Sequence, residues 1–86
     1  MPGIQLKTDA TDIAREKAAY YLTLMYGTLY AAAHVKEVFH RDGNCTIILI
    51  DNQRIEVVDP FSATWLKYAA RSPNGWAVND DPAKLR

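Results

Sequence analysis

Residues 18–39, AAYYLTLMYGTLYAAAHVKEVF, decide how this chain is read. From residue 18 to residue 35 there are eighteen positions without Asp, Glu, Lys or Arg, at the lower edge of what can span a bilayer. A membrane span is rejected, because Tyr20, Tyr21, Tyr26 and Tyr30 are spread through the stretch instead of gathering at its ends. Thr23, Thr28, His34 and five alanines dilute its hydrophobicity further. A buried helix accounts for the same residues. Upstream, Thr8, Asp9, Thr11 and Asp12 supply N-cap side chains or first-turn carboxylates. The helix is therefore expected to begin between Asp9 and Ile13 and to run to about Phe39.

A continuous helix over residues 11–39 would be about 43 Å long, whereas a domain of 86 residues has a diameter of about 30 Å. Either the helix breaks at Gly27-Thr28, where glycine lowers helix propensity, or it projects and a second copy covers it. Two apolar stripes favour cover. Ala14, Ala18, Leu22, Met25, Leu29 and Ala32 form one, and Tyr20, Leu24, Ala31, Val35 and Val38 form the other. On this reading the chain is a homodimer built on its first helix.

Beyond the long stretch, residues 40–44, HRDGN, read as a turn, and residues 45–50, CTIILI, as a β-branched strand too short to be a helix. Asp51-Asn52 closes that strand, and residues 54–58, RIEVV, alternate. The pair reads as a β-hairpin. A two- or four-residue turn puts Ile48, Ile50, Ile55 and Val57 on one side, leaving Cys45, Ile47, Leu49 and Val58 with Arg54 and Glu56 on the other.

Asp59-Pro60 places a carboxylate at an N-cap and proline at the first helical position. A second helix is expected from Pro60 to about Arg71, with Phe61, Ala63, Trp65, Leu66, Ala69 and Ala70 as its apolar stripe. Pro73-Asn74-Gly75 is a turn, Trp76 anchors a short strand or docking segment, and residues 79–86 are a polar tail expected to fray. The fold class is α+β in one domain, residues 1–86, ordered helix, hairpin, helix, aromatic C-terminal segment.

Composition bounds the function. Ten Lys+Arg balance ten Asp+Glu, and no stretch of the chain is basic, which disfavours nucleic-acid binding. The single cysteine excludes an internal disulfide, and MPGIQ at the start lacks the basic and apolar stretches of a secretory signal. A cytoplasmic location is the expectation. The four glycines are scattered, so no phosphate-cradling loop is visible.

His34, His40 and Cys45 are the residues that could carry chemistry, with spacing H-x5-H-x4-C. That spacing matches no familiar metal site, and neither a metal nor a cofactor is expected. A nucleophilic thiol would favour the start of a helix, where the dipole lowers its pKa, but Cys45 begins a strand, where a small core side chain is the simpler reading. A site formed by these three residues at a dimer seam, in a small enzyme or ligand-binding subunit, is the alternative. The aromatic content favours a different class. Tyr20, Leu24, Tyr26, Tyr30, Ile47, Leu49 and Trp76 are the candidate contact residues of a non-catalytic protein-interaction module whose partner is a second copy.

Overall fold

The computed structural model describes residues 7–9, 11–41, 43–73 and 75–77. The element order is β1 (Lys7–Asp9), α1 (Asp12–Tyr26), a 3-10 turn (Ala32–His34), β2 (Val35–Arg41), β3 (Asn44–Leu49), β4 (Arg54–Val57), α2 (Pro60–Tyr68), β5 (Ala70–Ser72) and β6 (Gly75–Ala77). The architecture is α+β. An antiparallel sheet, β1-β2-β3-β4, carries both helices on one face, and β5 and β6 form a separate two-stranded ribbon. The expected frayed tail, residues 79–86, lies outside the described residues.

The first helix starts where its caps place it. Thr11 accepts the Ala14 N–H on its hydroxyl at 3.2 Å, satisfying one of the orphan donors of the first turn. It stops at Gly27, which takes φ +72° as C-cap and donates its N–H to the Thr23 carbonyl at 3.0 Å. An αL residue is a frequent helix terminator and glycine adopts it at least cost. The break at Gly27 is therefore the outcome, and the alternative of a continuous helix to Phe39 is overturned. At fifteen residues, α1 is about 22 Å long and fits within the domain.

Residues 35–41, expected as the end of that helix, are instead the strand β2. It pairs with β3 through Val38↔Ile47 and His40↔Cys45, but its first residue pairs as Val35↔Leu49, so Lys36 is an extra residue in a β-bulge. The bulge lets Val35 and Val38 face the same side although they are three apart, which an unbroken strand forbids. Both are buried in the main core. Their helix-like spacing is a product of the bulge. Of the second apolar stripe that seemed to call for another copy, Val35 and Val38 are covered within the protomer, Tyr20 and Leu24 are half-buried and Ala31 is exposed.

The hairpin is present, with its register shifted from expectation. Its turn has three residues, 50–52: the Leu49 N–H donates to the Gln53 carbonyl at 2.9 Å and the Asn52 N–H to the Leu49 carbonyl at 2.8 Å. Asn52 takes φ +70°, the αL position that follows a type I turn in such loops. An odd turn reverses the parity. Cys45 faces Val57 and Ile47 faces Ile55, so Cys45, Ile47, Leu49 and Val57 point into the core, and Ile50 is exposed in the turn. Glu37, Ile48 and Arg54 share the opposite face, where Ile48 is buried outside the main core.

The core joins Ala14, Ala18, Ala19, Tyr21 and Leu22 of α1 to the inward sheet residues and to Ala63, Trp65 and Leu66 of α2. Alanines on the inner face of α1 let its backbone approach the sheet closely, and Trp65 supplies the largest buried volume. The second helix opens as expected, with Asp59 accepting the Ser62 N–H at 2.9 Å and Pro60 at the first position. It ends at Tyr68, earlier than expected. Ala70 and Arg71 belong to β5, which pairs with β6 through Arg71↔Trp76. Phe61 and Ala70, assigned to the apolar stripe, are exposed, whereas Trp76 docks into the core.

Candidate interaction surface

Two polar links build one end of the domain. Past the Gly27 cap, the Thr23 hydroxyl accepts the Tyr30 N–H at 2.9 Å while donating to the Ala19 carbonyl at 2.8 Å. Residues 27–30 are thereby folded back onto the helix that they leave. Leu29 sits on the outside of this loop, 83 % exposed, beside Tyr26 at 59 %. The Ala31 N–H then donates to His34 Nδ1 at 2.9 Å, and the His34 ring meets Tyr30 edge to face with centroids 6.3 Å apart.

The second link brings in the hairpin turn. The Ile50 N–H donates to the His34 carbonyl at 3.0 Å, which holds Ile50, 61 % exposed, against the 3-10 turn. Leu29, Tyr30, His34, Leu49, Ile50 and Asp51 border a hollow of about 420 Å³. Ile50 is also part of the wall of a second hollow, lined by Asp12, Arg15, Ala32, Ala33, Val35 and Lys36. It therefore stands as a ridge between two depressions. Charges of both signs border them, with Asp12 paired to Arg15 and Lys36 donating to the Asn52 side chain at 3.2 Å.

The contact residues expected from sequence divide into two groups. Tyr26 is exposed and Tyr30 half-buried at this end. Leu24 is half-buried on α1, and Tyr20 stacks on Trp65 with centroids 5.9 Å apart. Ile47, Leu49 and Trp76 are buried within the protomer, because the three-residue turn directs the first two inward and the β5–β6 ribbon folds the third back. Leu49 still borders the hollow. Leu29 and Ile50 are the surface residues that sequence reading missed. Leu29 had been placed in a helical stripe and Ile50 on one side of the hairpin with Ile48, Ile55 and Val57.

His34, His40 and Cys45 do not come together. His40 and Cys45 are cross-strand partners, but His34 precedes β2, about 20 Å away by strand rise. Cys45 is 1 % exposed, and burial pushes its thiol up to about 12, against a smaller downward pull from Lys17. The reactive species is the thiolate, so this thiol is held in its unreactive form. Among the described residues, no group of three or more His, Cys, Asp or Glu side chains is placed to hold a metal ion. Among the same residues, no helix is long and apolar enough to cross a membrane. Comparison with protein-family models, curated proteins and solved structures finds no match for the chain.

Proposed function

We propose that this chain is a small non-catalytic protein-interaction module that associates with a second copy of itself through the end bearing Tyr26, Leu29, Tyr30 and Ile50. The observation that carries this reading is the joint exposure of Leu29 and Ile50 beside the hollow that both border. Exposed apolar side chains rimmed by polar groups mark contact sites when they cluster. Backbone hydrogen bonds on either side fix both residues in place, so little ordering entropy opposes docking.

A second copy fits the rim. In a twofold contact each residue meets the partner's version of the same patch, so the patch must complement itself. Asp12 and Asp51 alongside Arg15 and Lys36 provide both signs for exchange across such an axis. The zero formal net charge of the chain removes long-range repulsion between copies. The patch covers one end of a surface of 5579 Å², and a standard interface takes about 800 Å² from each partner. Area does not set affinity; for a weak, transient contact we expect a Kd on the order of 10–100 µM.

Sedimentation equilibrium over a concentration series spanning that range tests the reading. The chain is expected to shift from monomer to dimer, and the Leu29→Glu/Ile50→Glu variant to remain monomeric with an unchanged melting temperature. A chain that stays monomeric at about ten times the upper Kd, or a variant that dimerises as well as the parent, overturns it.

A further inference from the structure

A second hollow lies at the opposite end of the β2–β3 pair, where the turn after β2 meets the last turns of α2. Arg41, Gly43, Asn44, Thr64, Lys67 and Tyr68 line it together with His40 and Ala63, and it measures about 180 Å³, open to solvent on one side. The site is small: pockets for drug-sized ligands run from about 300 Å³ upward, and water takes about 30 Å³ per molecule. A tetrahedral oxyanion with part of its hydration shell fits it.

The side chains define the charge of the occupant. Arg41 and Lys67 are the charged groups among the described lining residues, and among the described residues neither has a carboxylate partner. The Lys67 ammonium lies 5.3 Å from the centre of the Tyr68 ring, a cation–π contact that restrains the chain beside the hollow. Thr64, Tyr68 and Asn44 add hydroxyl and amide donors. Gly43, at φ +74°, completes the tight turn that presents Arg41 and Asn44 from adjacent strands.

From this geometry we infer that the hollow between the β2–β3 turn and α2 binds a phosphate group, with Arg41 and Lys67 supplying the charge and Thr64, Tyr68 and Asn44 the neutral hydrogen bonds. Arg41 offers the planar fork that matches two phosphate oxygens, and Lys67 a point charge. The C-terminal end of α2 opposes a nearby anion, and both cations are solvent-exposed. Binding is accordingly weak, with a Kd of about 1–10 mM. This site is independent of the self-association surface.

Titration of the labelled full chain with inorganic phosphate, followed by amide NMR at neutral pH with ionic strength held constant by sodium chloride, tests it. Saturable shifts are expected at Gly43, Asn44 and Thr64. Arg41→Gln and Lys67→Gln should each weaken binding about tenfold, the value of one charge-assisted hydrogen bond. Both side chains are exposed, so the rest of the spectrum should stay in place. Shifts that rise without saturating, or that saturate equally in the Arg41→Gln/Lys67→Gln double variant, overturn the proposal.

Discussion

The Lys17 ammonium, on a side chain only 8 % exposed, donates to the carbonyl of Ala69 at 3.0 Å. The bond joins the middle of α1 to the residue that ends α2 and leads into β5. The same ammonium lies 6.0 Å from the centre of the Trp76 ring, with the Arg71 guanidinium 5.5 Å from that ring. Arg71 in turn donates to Glu16 at 2.6 Å. The β5–β6 ribbon is thus fastened to α1 by two adjacent helix residues.

Lys17→Met keeps the aliphatic stem and removes the donor, leaving the Ala69 carbonyl without that bond. A loss of about 1–3 kcal/mol is expected in urea denaturation followed by tryptophan fluorescence. Glu16→Gln, at an exposed ion pair, should cost no more than about 1 kcal/mol. Equal effects of the two substitutions would contradict the distinction between the buried and the exposed fastening.

Alkaline pH should unfold the chain through Cys45. Its folded pKa is about 12, above the value of about 8.5 for a free thiol. The unfolded state therefore loses the proton first as pH rises. The contribution to stability is full below the unfolded pKa and falls by about 1.4 kcal/mol per pH unit until the folded pKa is reached. Tyr21 adds to the slope at higher pH, because burial raises its pKa as well, against a lowering by its hydrogen bond with Ser62. Denaturation midpoints measured from neutral pH into this window should fall steeply in the parent and less steeply in Cys45→Ala. Matching slopes would remove Cys45 as the cause. Thiol labelling of the native chain should be limited by unfolding.

Gly27→Ala isolates a conformational effect. An added Cβ would meet nothing within 4 Å, while φ is +72°, so the cost is the αL penalty alone, about 1–2 kcal/mol. Gly27→Asn, which tolerates αL better, should recover part of it. Thermal melts of the two variants decide the point. A Gly27→Asn loss as large as that of Gly27→Ala would argue against the backbone explanation.

Both helix starts were legible because their caps are local: Thr11 and Asp59 each bond to an N–H three residues on, and sequence spacing encodes that directly. The end of α1 was half-legible, since Gly27 suits an αL cap but glycine also occurs within helices. The hairpin between β2 and β3 carried a local signal that was passed over. Asp42-Gly43 sits between residues paired as Arg41↔Asn44, and Asp-Gly is a strong two-residue hairpin turn. The short strand β1 could not be read from residues 7–9 alone, because it exists by pairing with β2, as in Thr8↔Phe39. The candidate surface was the least legible part. Ile50 is exposed because the β3–β4 turn has three residues, a count that Asp51-Asn52 leaves open until Asn52 is seen at φ +70°.

The bulge at Lys36 gives the sharpest test of the fold. Lys36 itself is exposed, and its side chain bonds to Asn52 across the surface. Lys36→Ala should therefore change stability by no more than about 1 kcal/mol. Deleting the residue is a different perturbation. It brings Val35 and Val38 to a spacing of two, at which side chains of a regular strand share a face, so both stay directed inward without the bulge. Val35 stays opposite Leu49 and Val38 opposite Ile47, so no burial is forfeited, and the deletion should cost about 1–2 kcal/mol, for the shorter path into the strand. Urea denaturation of the deletion and the alanine variant side by side would measure it. A loss of more than about 3 kcal/mol on deletion would mean that a valine had turned outward, against the register that sets Val35 opposite Leu49 and Val38 opposite Ile47.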